Sequence, residues 1–91
     1  MYKVVLTSEA QKDMIRLDGS LQTRLLDKIE WLGQNCLSIQ HQPLQGNQWL
    51  GCYKYRLGEY RIVYEYDQPI GTVVILKVGH LRGKDFRTMP I

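Results

Sequence analysis

The sequence lacks any long apolar run and any clear targeting segment. No apolar stretch approaches the roughly 20 residues that a transmembrane helix needs, so we expect no membrane partner. The first ten residues, MYKVVLTSEA, contain one lysine and a short apolar stretch that soon becomes polar. This pattern is typical of a first β-strand rather than of a signal peptide. The absences together predict a cytoplasmic protein.

Cysteine is also scarce. The two cysteines, Cys36 and Cys52, lack CxxC spacing, and His41 is not placed to complete a metal site with them. Because cytosolic thiols are normally kept reduced, we expect both to be structural thiols that pack as small hydrophobic groups. The sequence therefore predicts no metal and no cofactor.

A chain of 91 residues has room for one domain, which we expect to span residues 1–91. A domain of this size encloses little space, so a substrate is expected to lie across an open face, which favours a macromolecule over a small metabolite. The apolar fraction of 44% is ordinary for a folded globule and too high for a disordered chain.

Positive charge is concentrated in the C-terminal part of the chain. Residues 1–53 contain five basic and five acidic residues, whereas residues 54–91 contain seven basic and four acidic residues. The second segment therefore carries the whole net charge of +3. Such asymmetry is typical of proteins that bind polyanions, although solubility is an alternative explanation for surface charge.

The N-terminal half shows the pattern of one strand followed by two helices. A strand is predicted over Tyr2–Leu6, and Ser8 is predicted to cap a first helix that breaks at residues 18–20. Ser20 is predicted to cap a second helix, which ends between residues 33 and 35. One face of that helix carries an apolar stripe, formed by Leu21, Leu25, Ile29 and Leu32.

The C-terminal half changes to the alternating pattern of strands after a loop over residues 37–50. Strands are predicted over Cys52–Leu57, Tyr60–Tyr66 and Thr72–Val78, which gives the element order β-α-α-β-β-β. A helical hairpin has to pack on one face of such a small, largely antiparallel sheet. The predicted fold class is therefore α+β, with the other face of the sheet at least partly open.

A two-residue turn at Gly58-Glu59 predicts the register of the central hairpin. A glycine at the first of the two turn positions is typical of a type II′ turn. Arg56 then lies directly opposite Arg61, and Lys54 shares their face because side chains alternate. Like charges opposite each other destabilise a sheet, and a guanidinium matches phosphate oxygens. The pattern predicts an anion site on the open face, with a tolerated pair of exposed cations as the alternative.

Further candidates follow along the last predicted strand. Lys77 lies within the strand, and His80 and Arg82 lie at its end. An imidazole beside a phosphate can transfer a proton near neutral pH. A purely structural histidine is the alternative.

Two segments resemble the C-terminal half of RelE-type toxins. CYKYRLGEYRIVYEY resembles the family's hairpin pattern YKxRxGdYRvvYei, and VVILKVGHLRGKDFR resembles vvvlxVGHRxdvYr. The upstream PLQG matches a pLxG loop, and the element order agrees, so the resemblance spans essentially the whole chain. The hairpin is common to the RelE and ParE branches, and the basic residues at both of its ends favour the RelE branch.

The resemblance implies a RelE-like fold and the toxin of a type II toxin–antitoxin system, with a cognate antitoxin, the ribosome and mRNA as partners. In this family the basic face holds mRNA in the decoding site, and the RNA's own 2′-OH attacks the adjacent phosphate without a metal. The implied activity is that of a metal-independent endoribonuclease. The candidate catalytic residues are Lys54, Arg56, Arg61, His80 and Arg82, and the candidate RNA-binding residues are Lys77, Lys84, Phe86 and Arg87.

The tail departs from the family pattern. The family usually has arginine directly after the histidine, whereas here a leucine precedes Arg82. The family's tail tyrosine has no match, and Phe86, or Arg87 in an ungapped count, stands nearest. Phenylalanine can stack on a base but cannot transfer a proton, and simple packing is its alternative role. The proton transfer that the tyrosine performs in the family then falls to His80 or to Lys54, since nearby cations favour the neutral form of a lysine. Otherwise the activity is altered.

Three functions stay open from the sequence. The first is a ribosome-dependent mRNA endonuclease, the second a ParE-like inhibitor of DNA gyrase without nuclease activity, and the third a degenerate member that only binds its antitoxin. The paired arginines and the corner at His80 and Arg82 favour the first. The missing tyrosine favours the other two.

Overall fold

Two helices pack on one face of a five-stranded sheet in the computed structural model, which describes residues 2–44 and 51–81. In chain order the elements are β1 (Lys3–Leu6), α1 (Ser8–Ile15), α2 (Gly19–Gln34), β2 (Gln42–Pro43), β3 (Tyr53–Leu57), β4 (Tyr60–Asp67) and β5 (Thr72–His80).

The sheet has the strand order β1-β5-β4-β3-β2. β1 pairs with β5 in parallel, and the three pairs among β2, β3, β4 and β5 are antiparallel. The predicted α+β class and largely antiparallel sheet are confirmed, and the short strand β2 is an addition to the predicted order. No helix within residues 2–44 and 51–81 is long and apolar enough to cross a membrane.

Both helices begin from a different cap than the sequence predicted. Thr7, not Ser8, is the N-cap of α1, and its Oγ1 accepts a hydrogen bond from the Ala10 N–H at 3.1 Å. Asp18, not Ser20, caps α2. The N-cap residue must precede the first helical residue, and both serines are already helical. The chain therefore uses the earlier of two suitable residues in each case.

The last predicted strand is longer than expected and carries a β-bulge. β5 continues past Val78, the last residue of the predicted strand, to residue 80. Ile75 and Lys77 pair with the consecutive residues Tyr64 and Val63 of β4. Leu76 is therefore an extra residue on β5, the hallmark of a bulge.

The main core lies between the helices and the sheet, and alternation along β4 decides which side chains enter it. Ile62 and Tyr64 belong to this core, whereas Val63 between them belongs to a second, smaller cluster. The second cluster lies on the opposite face of the sheet and consists of Leu44, Cys52, Val63 and Leu76. The predicted division of the hairpin between two faces is confirmed.

Helix α1 covers the edge of β5 beyond the point where β1 ends. The Thr7 N–H donates to the Ile75 carbonyl at 3.0 Å, and the Thr7 hydroxyl donates to the Leu76 carbonyl at 3.2 Å. Two residues further along β5, the Val78 N–H donates to Oδ2 of the buried Asp13 at 3.0 Å. A side chain of α1 thus satisfies a backbone group that would otherwise be buried without a partner.

Gly33 lies where the end of α2 meets β1, and an added methyl group has no space there. Its Cβ would lie 2.6 Å from Val4 Cγ2 and 3.0 Å from the Tyr2 carbonyl oxygen. We expect Gly33→Ala to lower the free energy of unfolding by about 1–3 kcal/mol, measured by urea denaturation. Gly19→Ala is the control, because nothing lies within 4 Å of that added Cβ. Equal effects at both positions would contradict the steric argument.

Candidate functional site

Lys54, Arg56 and Arg61, called here the hairpin cation cluster, share one face of the β3–β4 hairpin. Arg56 pairs with Arg61, and Lys54 pairs with Val63, in the predicted register. Gly58 has a φ of 60°, and no described non-glycine residue has a positive φ, which fits the predicted type II′ turn. Side chains directly opposite each other have Cβ atoms roughly 4.5–5.5 Å apart, so the two arginines start from adjacent positions.

Arg61 is buried, whereas the sequence predicted an open position. Its residue surface is 5% exposed. Burial, and secondly the charge of Arg56, lower the pKa of Arg61 from its ordinary value, yet a guanidinium stays protonated in proteins. A side chain this inaccessible is part of the packed structure, so replacing Arg61 by alanine removes packing.

Arg56 and Lys54 are more accessible than Arg61. Arg56 is exposed, and its Nε–H donates to the Gly58 carbonyl at 2.9 Å. This bond uses one of the five N–H donors of the guanidinium and holds the side chain along the turn. Lys54 and Arg56 both line a cleft of about 270 Å³, which Gln40 and Gln42 also line.

His41 anchors the segment that leads into β2. Its Nδ1 lies 2.6 Å from the Tyr64 hydroxyl, and its Nε2 lies 2.7 Å from the Cys36 carbonyl oxygen. Since a carbonyl only accepts, Nε2 donates to the Cys36 carbonyl oxygen, and Nδ1 forms a hydrogen bond with the Tyr64 hydroxyl. The ring also stacks on Tyr66 with centroids 4.3 Å apart. These contacts fix β2 beside the hairpin cation cluster.

Both cysteines are free thiols, and Cys36 Sγ lies 3.8 Å from His41 Nε2. Cys36 is buried under the His41 segment, and burial raises the pKa of its thiol. Burial, and secondly the charge of Glu65, raise the pKa of the Cys52 thiol. A raised pKa keeps a thiol protonated and poorly nucleophilic, which agrees with the predicted structural role.

His80 lies on the face of the sheet opposite to the hairpin cation cluster. It pairs with Tyr60, whose side chain packs against the main core, and the two rings meet edge to face at 5.1 Å. His80 Nε2 lies 3.3 Å from Glu59 Oε2. The structure therefore does not bring His80 together with the three cations, and its predicted catalytic role stays a prediction.

Lys77 pairs with Val63 across the ladder, but its amino group turns to the edge of the sheet. Its Nζ lies 3.4 Å from Glu9 Oε1 and 3.9 Å from Asp13 Oδ2, and its side chain is 12% exposed. This ion pairing ties β5 to α1. The predicted contact of Lys77 with RNA stays a prediction.

The remaining predicted residues lie outside the described residues. These are Arg82, Lys84, Phe86 and Arg87, together with Gln45 and Gly46 of the PLQG segment.

Gln40 and Gln42 line the same cleft as Lys54 and Arg56, and the sequence pattern did not predict this position. They were assigned to a loop because a two-residue strand is too short to show alternation. The available signal was weak: two glutamines spaced by two residues directly before a proline.

Comparison with protein families gave one match. A family model described as the ParE toxin of type II toxin–antitoxin systems, parDE, matches residues 4–84. A comparison with curated proteins found no match.

Solved structures of RelE toxins have the same architecture. The toxin–antitoxin complex RelBE2 of Mycobacterium tuberculosis matches with 30% identity and a TM-score of 0.77, covering 87% of this chain and 96% of that chain. The RelE–RelB complex of Pyrococcus horikoshii matches with 26% identity and a TM-score of 0.72, covering 91% and 97%. The isolated RelE toxin of E. coli matches with 24% identity and a TM-score of 0.73, and the match covers 94% of this chain and 92% of that chain. This match shows a similarity of fold alone.

Proposed function

Because the chain belongs to the RelE/ParE superfamily of type II toxin–antitoxin toxins, we propose that it is a ribosome-dependent mRNA endonuclease. The observation that carries this proposal is the pairing of Arg56 with Arg61 on the face that also holds Lys54. Opposed like charges destabilise a sheet, and a bound anion removes that penalty. Phosphate oxygens accept two parallel hydrogen bonds from a guanidinium, so the RNA backbone is the anion that we assign to this site.

In the proposed reaction the RNA supplies its own nucleophile. The 2′-oxygen attacks the adjacent phosphorus, the bond from phosphorus to the 5′-oxygen breaks, and a 2′,3′-cyclic phosphate and a 5′-hydroxyl result. Arg56 and Arg61 stabilise the charge that develops on the phosphate oxygens, but they cannot act as bases. We assign the general base to Lys54, because it shares the face of the two arginines and, unlike them, its side chain can exchange a proton.

The acid that protonates the leaving 5′-oxygen is assigned to the end of β5 and the residues after it. His80 is the proposed acid, a role that requires its imidazole to reach around the end of the sheet to the bound phosphate. Arg82 is proposed to add positive charge beside the phosphate, since a guanidinium does not release a proton, and Lys84, Phe86 and Arg87 are proposed to hold the flanking RNA. Cations and an aromatic ring in one segment are suited to a single strand, because they bind the backbone and stack on a base.

The test is in vitro translation of a defined message, followed by primer extension. We expect cuts within the coding sequence when purified protein and translating ribosomes are both present, and none on the same message without ribosomes. Lys54→Met is expected to lower the cleavage rate by roughly 100-fold or more, since general base catalysis contributes about 100- to 10,000-fold. Unchanged cleavage by a folded Lys54→Met variant would remove the lysine from the mechanism.

A ParE-like inhibitor of DNA gyrase is the second candidate function. The observation that favours it is the family match, whose description is that of a ParE toxin. The same purified protein is therefore to be tested with gyrase and supercoiled plasmid. Gyrase-linked DNA breaks without any ribosome-dependent RNA cuts would replace the first proposal with the second.

An antitoxin is the proposed protein partner. The matched structures from M. tuberculosis and P. horikoshii are complexes of a toxin with its antitoxin, which supports a cognate antitoxin for this chain. We expect the protein expressed alone to stop growth of a bacterial culture, and a co-expressed antitoxin to restore it. Normal growth and translation during strong expression of folded protein would count against a toxin.

A further inference from the structure

We propose that Gln40 and Gln42 form a base-recognition subsite that prefers adenine in single-stranded RNA. The inference rests on the proposed function and adds to it the base that lies beside the bound phosphate. The side chains involved are the two glutamines and the two accessible members of the hairpin cation cluster, Lys54 and Arg56.

The geometry follows from the pairing of β2 with β3. Gln42 pairs directly with Lys54, so their side chains share one face of the sheet. Gln40 lies two residues before Gln42, outside β2, and comes close to Arg56 because both line the same cleft. Both glutamines are exposed, and all four side chains line the cleft of about 270 Å³.

The segment that carries the glutamines is held in place by contacts on the other face of the sheet. His41, between them, is bonded to the Tyr64 hydroxyl and the Cys36 carbonyl oxygen. The backbone is thus positioned before any ligand binds, which lowers the entropy that binding has to overcome. Neither glutamine amide has a hydrogen-bond partner among residues 2–44 and 51–81, so both amides are available to a ligand.

The chemistry of the cleft matches one nucleotide. A carboxamide offers one donor group and one acceptor, and adenine offers the complementary N7 acceptor and N6 donor on one edge. Guanine presents two acceptors on that edge, which an amide cannot match together. The cleft is slightly smaller than the roughly 300–1,000 Å³ typical of pockets for drug-sized ligands, a size that suits a flat ring rather than a whole nucleotide. Arg56 would hold the phosphate of the same nucleotide.

The experiment maps cut positions on a randomised message translated by purified ribosomes, using the full-length protein and deep sequencing of the RNA ends. We expect the parent protein to prefer adenine at one position near the cut by on the order of tenfold. Gln42→Leu and Gln40→Leu are expected to reduce that preference and to retain cleavage at other bases. Gln68→Leu is the control, since Gln68 is an exposed glutamine in the turn between β4 and β5 and should preserve the parent pattern.

The possible failures are distinguishable. A parent protein that makes no ribosome-dependent cuts removes the proposed function and the subsite together. If the parent cuts but the glutamine variants give the parent's base pattern, the endonuclease stands and the subsite is overturned. A glutamine variant that folds, as shown by circular dichroism, yet loses cleavage equally at every base assigns the residue to phosphate binding and also overturns base recognition.

Discussion

Arg61→Ala is expected to lower ribosome-dependent cleavage about 100-fold, because it removes a positioned donor from the phosphate on which charge develops. The same variant is expected to lose roughly 1–3 kcal/mol of unfolding free energy, because truncating a buried side chain leaves unfilled space. Relief of the repulsion with Arg56 reduces that loss but does not cancel it. Cleavage rate and urea denaturation measure the two effects separately.

Arg61→Lys separates catalysis from folding. Lysine keeps the positive charge and most of the apolar stem, but it lacks the planar fork that binds two phosphate oxygens at once. We expect stability close to that of the parent and cleavage slower by about tenfold, which is the loss of about 1.4 kcal/mol in transition-state binding. Arg24→Ala on the exposed face of α2 is the control and should match the parent in both measurements.

Two outcomes would contradict the role of Arg61. Parent-like cleavage by Arg61→Lys or Arg61→Ala would place the residue outside the active site. A loss of stability in Arg61→Lys as large as that in Arg61→Ala would make the position structural, because charge and stem would then matter less than the fit of the guanidinium.

Asp13→Ala is expected to be the most destabilising of the substitutions considered, by roughly 2–4 kcal/mol. For a domain of fewer than 100 residues this corresponds to a fall in Tm of about 10–20 °C. The buried carboxylate accepts the Val78 N–H and lies 3.9 Å from the amino group of Lys77. Its removal leaves a backbone donor without a partner at the edge of β5 and takes a counter-charge from a lysine that is mostly buried.

A matched pair of variants tests the cause. Asp13→Asn keeps an acceptor oxygen of the same shape and removes the charge, so it should cost less than Asp13→Ala. Glu9→Ala removes the other carboxylate that contacts Lys77, but the Glu9 side chain is 65% exposed, and exposed ion pairs contribute about 0–1 kcal/mol. Differential scanning calorimetry of the three variants gives the ranking. A Tm for Asp13→Ala close to that of Glu9→Ala would show that the bond to Val78 contributes little.

Local patterns predicted the hairpin well, because a two-residue turn constrains its neighbours directly. Once Gly58 adopts a positive φ, the pairing of Arg56 with Arg61 and the alternation along β4 follow from strand geometry alone. The helix caps were off by one or two residues, since threonine, serine and aspartate all satisfy the same backbone donors. Choosing among adjacent candidates depends on the angle at which the chain enters the helix.

The bulge at Leu76 and the short strand β2 were not predictable from alternation. A single extra residue changes which side chains face the helices, and the sequence around it remains a continuous apolar run. Two residues are likewise too few to establish a period. The position of Gln40 and Gln42 beside the hairpin cation cluster therefore became visible only in the structure. The pairing of β2 with β3 and the contacts of the intervening histidine place them there.

The sequence by itself determined the α+β class, the register of the central hairpin and the shared face of Lys54, Arg56 and Arg61. Each follows from the period of the side chains or from one turn, which are properties of neighbouring residues. Only the tertiary structure decided that Arg61 is buried, that His80 lies on the opposite face and that Asp13 completes the edge of β5. These depend on residues far apart in the chain, because the burial of a side chain, the face that it occupies and the completion of a sheet edge are set by how separate elements pack together.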